Sequence, residues 1–226
     1  MGGRTVADTH DELPDEADEA PGDSEPDPAG AALRERLGAR SLVMVGLPGV
    51  GKSSVGRRLA QHLGLHFVDA DTEIEKAAGM TISEIFAKHG EPAFREGEQR
   101  VIARLLEDGP QVLATGGGAY MAPETRAAIA QHGLAIWLDA TTDVLVSRIA
   151  KRTTRPMFVG VDPRQKVLEL RALRDPTFAK ADIHVTSSAG PHERVVRRIM
   201  DAVRRHYAAA PTSSKSPCAT QQKAAP

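Results

Sequence analysis

The chain has 226 residues, 26% of them charged, and its formal net charge of −1 conceals two opposed parts. Residues 1–30 hold ten Asp or Glu against the single Arg4 and so carry −9, which leaves +8 on residues 31–226. One cysteine, Cys218, excludes an intrachain disulfide framework and a thiolate metal cluster, and no run of eighteen apolar residues offers a membrane span.

This length suits one domain with a substantial core and two polar ends. The acidic, proline-bearing start is too poor in large apolar side chains to offset the entropy of ordering, so residues 1–38 are expected to be a disordered tail. A domain over 39–207 follows, then a small, polar tail over 208–226. The basic balance of the domain suits phosphorylated or carboxylated small ligands. Its basic residues are spread over several segments without aromatic interleaving, so no nucleic-acid partner is expected. No charged-then-apolar leader opens the chain, and a soluble cytoplasmic monomer without membrane contact is the expectation.

From Ser41 the pattern reads strand ("SLVMVG"), glycine loop, then a helix whose Val55, Leu59 and Leu63 recur every four residues. "HFVDAD" reads as a second strand, "TEIEKAAG" as a helix closed by Gly79, and "TISEIFAKHG" as a helix opened by a Thr81/Glu84 capping box. Pro92 to Glu107 form a longer helix; "QVLATG" is a strand, "PETRAAIAQHG" a helix and "LAIWLDA" a strand. "TTDVLVSRIAKR" and "DPRQKVLELRALRDP" are helices, separated by an aperiodic stretch with glycine and prolines that reads as a mobile lid over about 151–166. "DIHVTS" and "PHERVVRRIMDAVRRH" close the domain as strand and helix. Short apolar strands alternating with helices predict a three-layer α/β/α fold around a five-stranded parallel sheet, with ligands outside the carboxyl ends of the strands.

"GLPGVGKSS" after the first strand matches the phosphate-loop pattern through Gly46, Gly51, Lys52 and Ser53. Its backbone N–H groups (Gly49, Val50, Gly51, Ser54) and the following helix terminus suit phosphate, Lys52 adds charge and Ser53 a hydroxyl for Mg2+, so a nucleoside triphosphate is implied. After the second strand, Asp69 and Asp71 alternate onto one side, one suited to metal support and one to orienting an acceptor hydroxyl; capping of a helix near Thr72 competes as a role for Asp71. In "VLATGGGAY" the strand that often ends in a metal-supporting aspartate ends instead in Gly116, Gly117 and Gly118.

"GLPGVGKSSVGRRLA", "FVDADTEIEKAAGMTISEIF", "GEPAFREGE", "LATGGGA", "TRPMF" and "ALRDPTFAKAD" together resemble the shikimate kinase family over roughly Ser41 to Arg205. That resemblance implies a P-loop, nucleoside monophosphate kinase-like fold and phosphoryl transfer from ATP, with Mg2+, to the 3-hydroxyl of shikimate. It implies Asp69 as water-mediated metal support and Asp71 as hydroxyl ligand and candidate base. Arg95 and Arg174 become carboxylate ligands, Glu98 the support of Arg95, and Phe86 and Phe94 apolar walls. Arg148 stacks on adenine, Arg155 of the lid reaches the transferred phosphoryl group, and Gly116–Gly118 form the acceptor floor. Met157 and Phe158 depart from the family's usual lid residues. A sugar-acid kinase such as a gluconate kinase, or a non-catalytic shikimate-sensing module, are the alternatives to exclude.

Overall fold

The computed structural model describes residues 28–150, 160–187 and 190–209. Five parallel strands form the sheet: β1 (Ser41–Val45), β2 (His66–Asp69), β3 (Gln111–Ala114), β4 (Gly133–Asp139) and β5 (Ile183–Thr186), in the order β2-β3-β1-β4-β5. Burial follows position in this order. Central β1 and β3 are buried at every residue, as strands covered on both faces must be, whereas β5 at one edge alternates buried and exposed. Helices α1 (Pro28–Leu37), α2 (Lys52–Leu63), α3 (Ala70–Ala78), α4 (Ile82–Glu107), α5 (Pro123–His132), α6 (Thr142–Ala150), α7 (Pro163–Phe178) and α8 (His192–Ala209) surround it.

The periodic helices form where their apolar spacing places them: Val55, Leu59 and Leu63 all face the main core from α2. The Thr81/Glu84 capping box is present at the start of α4. Four boundaries differ from the sequence reading. The two helices expected on either side of Pro92 form one span broken at Gly90, whose φ of 79° and ψ of 171° end the first helix just before the proline. The second strand stops at Asp69, because the Asp69 carboxylate accepts the backbone N–H of Asp71 and caps α3 from Ala70 onward. Helix α7 begins at Pro163, inside the stretch assigned to the lid, with Asp162 as its N-cap; residues 151–159 lie outside the described residues. The last helix runs to Ala209, two residues into the expected C-terminal tail.

The largest correction is at the start. Residues 28–37, expected to belong to a disordered tail, form α1, with Leu33 and Leu37 only 1% and 2% exposed. A Cβ on Gly30 would lie 1.8 Å from the His62 carbonyl oxygen, so α1 presses backbone to backbone on the end of α2, and Arg34 donates to the Gly64 carbonyl. Two leucines at a spacing of four sufficed to order a helix that average composition concealed. Removing residues 1–27 should therefore leave Tm unchanged, whereas Leu33→Ala should cost about 2–5 kcal/mol and lower Tm by roughly 5–15 °C in a thermal melt.

Candidate active site

The carboxyl ends of β1, β2 and β3 converge on one region, and each contributes a different chemistry. At the end of β1 the chain makes the phosphate loop, starting at Gly46 with φ 139°. A Cβ there would sit 2.3 Å from the Leu138 carbonyl oxygen of β4, so the loop can start only with glycine. The Lys52 ammonium folds back over the loop and donates to the carbonyls of Gly46 (2.9 Å) and Leu47 (3.1 Å). Val50 buries its side chain in the core, so its backbone alone is available to a ligand. Ser54 follows Ser53 in the first turn of α2, and its carbonyl accepts from Arg58.

Ser53 Oγ donates to Asp69 Oδ2 at 2.7 Å. Asp69 is the register partner of Ala114, the last residue of β3, so a carboxylate stands one strand away from the place where the glycines replace it. A hydroxyl and a carboxylate, both hard oxygen donors beside the phosphate loop, fit Mg2+, which keeps waters and phosphate oxygens in its remaining positions. Among the described residues no cluster of three or more His, Cys, Asp or Glu competes as a metal site.

Asp71 lies in the first turn of α3 and not on the strand, so strand alternation is not what aims it. A Cβ on Gly116 would be 2.9 Å from Asp71 Oδ1 and 2.8 Å from Glu98 Oε1, so both carboxylates face the same glycine. Burial, and next the Asp69 charge, raise the Asp71 pKa to about 6, against the opposing pull of Lys52.

Arg95 and Glu98 project from α4 three residues apart. Arg95 donates to Glu98 Oε2 at 2.7 Å and to Glu91 Oε1 at 3.1 and 3.2 Å. Glu98 is 2% exposed, its Oε1 has no hydrogen-bond partner, and burial holds its carboxyl above the ordinary range. Arg174, from α7, donates to the Gly117 carbonyl at 2.9 Å, and burial followed by the Arg95 charge lowers its pKa. Two guanidinium groups thus flank the glycine loop; a Cβ on Gly118 would sit 2.8–2.9 Å from the Arg95 terminal nitrogens. Such a pair of forks matches a planar carboxylate.

Gly117 also has a structural role beside the expected one. Its missing Cβ would fall 2.8 Å from Pro48 Cδ, so the glycine lets the acceptor loop lie against the phosphate loop and does not simply leave space for a ligand. Gly117→Val should therefore weaken ATP and acceptor binding together, read as rises in both KM values, with some fall in Tm because the two loops must move apart. A rise in the acceptor KM alone would show that the Pro48 contact does not reach the nucleotide.

Arg148 of α6 reaches the outer side of the phosphate loop, donating to the Val50 carbonyl (2.8 Å) and to Ser187 Oγ (3.2 Å). Phe86 and Phe94 pair at 4.6 Å between ring centroids; Phe94 is part of a small separate core with Ile74 and Ile85, and the Arg95 guanidinium lies 5.1 Å over its ring. Arg155, Met157 and Phe158 fall outside the described residues.

A family model described as shikimate kinase matches residues 48–204. The chain is 53% identical to a shikimate kinase of Bradyrhizobium diazoefficiens over 78% of this chain and 85% of that relative. The chain belongs to the shikimate kinase family. Within it, the shikimate kinase of Acinetobacter baumannii solved in complex with shikimate superposes with a TM-score of 0.70 at 32% identity, covering 76% of this chain and 97% of the other. A gluconokinase of Sinorhizobium meliloti 1021 reaches a TM-score of 0.51 at 23% identity over 74% of this chain and 93% of its own, a likeness of fold alone. Membership fits the P-loop kinase fold and the co-location of the motif residues.

Sequence reasoning missed Pro48, because a proline in a glycine loop carries no chemical signal until its neighbour Gly117 is known. It also missed Ser187, which sits after the last strand and meets Arg148 only through the fold. Asp139 and Arg171 were equally invisible as a pair, being 32 residues apart.

Proposed function

We propose that this chain transfers the γ-phosphoryl group of ATP to the 3-hydroxyl of shikimate, giving shikimate 3-phosphate and ADP on the route to chorismate and the aromatic amino acids. As a member of the shikimate kinase family it is an ATP-dependent kinase. The observation that carries the residue assignments is the convergence of Arg95, Glu98, Arg174 and Asp71 around Gly116–Gly118, a loop that touches the phosphate loop at Pro48.

In this reading the N–H groups of Gly49 to Ser54 and the α2 terminus hold the triphosphate, and Lys52 offsets its charge. Arg148 bounds the adenine, and Arg155 of the lid meets the transferred group. Ser53 directly, and Asp69 through water, would hold Mg2+, which would offset the negative charge of the phosphate oxygens. Arg95 and Arg174 grip the shikimate carboxylate, and the backbone of Gly116 to Gly118 floors the ring. Asp71 accepts the hydrogen bond of the 3-hydroxyl and takes its proton as the new O–P bond forms and the bond from the γ-phosphorus to the β,γ-bridging oxygen breaks. In a loose transition state that proton leaves late, so alignment by Asp71 contributes alongside its basicity.

No helix among the described residues is long and apolar enough to cross a membrane. In this reading the chain works as a cytoplasmic monomer. A coupled assay of ADP release tests the function: turnover should saturate with shikimate and require Mg2+. Turnover with gluconate would favour a sugar-acid kinase, and shikimate binding without turnover a sensing module.

A further inference from the structure

Arg174 is held in place by surprisingly little of its own. It is desolvated and repelled by Arg95, against the pull of Glu91 and Glu98, and among the described residues it donates to the Gly117 carbonyl. Burial costs a guanidinium hydration, so the placement of the helix that delivers it matters.

One turn earlier on α7, Arg171 grips the sheet. Its NH1 donates to Asp139 Oδ1 at 3.0 Å and to the Ala140 carbonyl at 2.8 Å, its NH2 lies 3.3 Å from Asp139 Oδ2, and its Nε lies 3.1 Å from Asp175 Oδ2. Asp139 is itself fixed. It is the last residue of β4, its carboxylate accepts the Ala140 N–H, and its carbonyl accepts the Ser187 N–H. It directly follows Leu138, whose carbonyl oxygen abuts the first glycine of the phosphate loop. Apolar packing of Val167, Leu170 and Phe178 holds α7 on the core but tolerates small rotations; a two-pronged ion pair does not.

We propose that the Asp139–Arg171 pair is a positioning device that sets the rotation and height of α7, so that Arg174, three residues on, enters the acceptor pocket. The two residues touch no substrate and act on acceptor affinity through Arg174. The proposal rests on Arg174 being a shikimate carboxylate ligand, as assigned above.

A double-mutant cycle in the full-length chain tests it, with KM for shikimate, KM for ATP and Tm as readouts. Arg171→Met should raise the shikimate KM about tenfold and leave the ATP KM unchanged. Asp139→Asn should do the same, and Arg171→Lys should recover part of the loss. In an Arg174→Ala background, Arg171→Met should add nothing to the shikimate KM. An equal rise in that background, or a fall in Tm with an unchanged shikimate KM, would show a purely structural pair and overturn the proposal. An unchanged shikimate KM in Arg174→Ala alone would instead overturn the carboxylate assignment on which it rests.

Discussion

Arg95→Ala is expected to lower kcat/KM for shikimate roughly a hundredfold to a thousandfold, the cost of truncating one member of a desolvated charge pair. KM for ATP should stay within about a factor of three, since Arg95 faces Gly118 and the acceptor side. The same substitution has a second effect with a different cause. Glu98, 2% exposed, loses its guanidinium partner while its other oxygen already lacks one. A stranded buried carboxylate costs several kcal/mol unless it takes up a proton, so Tm should fall as well. Glu98→Gln added to Arg95→Ala should recover much of the Tm and none of the shikimate affinity. If it recovers both, Arg95 is a structural partner of Glu98 and not a ligand.

Asp71→Asn is expected to reduce kcat roughly a hundredfold while making the protein more stable at pH 7.5. The folded carboxyl, buried and beside Asp69, releases its proton near pH 6, above the 3.8 of an ordinary aspartate. Between those values the native state binds more protons than the unfolded state, so this group's contribution to stability declines as pH rises from about 4 through 6. Above that range the ionised group remains a net cost, bounded by about 3 kcal/mol for two pKa units and nearer 1–2 kcal/mol for a partly solvated group. Melts should therefore show Asp71→Asn above the parent at pH 7.5 and level with it at pH 3. In the parent, kcat/KM should fall on an acid limb near pH 6, where Asp71 becomes protonated.

Much of this architecture was legible because it depends on local signals. Val55, Leu59 and Leu63 at a spacing of four, the apolar runs of β1 and β4, and the "GLPGVGKSS" loop each specify their own element. Asp69 and Asp71 were legible as a pair, but their mechanics were not. Capping by Asp69 ends the strand two residues early, so Asp71 is aimed by the first helical turn and not by strand alternation. Helix α1 was hidden because its two buried leucines directly follow a stretch whose acidity dominates the start of the chain. The tertiary pairings, Gly117 with Pro48 and Asp139 with Arg171, leave no trace in spacing. They depend on how the ends of different strands come together.

The most direct test of phosphoryl transfer to the acceptor held by Arg95, Arg174 and Asp71 is the identity of the product. Incubating the full chain with ATP, Mg2+ and shikimate and recording a phosphorus–proton correlation NMR spectrum should give one new phosphate monoester, coupled to the proton on carbon 3, in step with ADP. A monoester at another hydroxyl, or ADP and free phosphate at the same rate without shikimate, would contradict it.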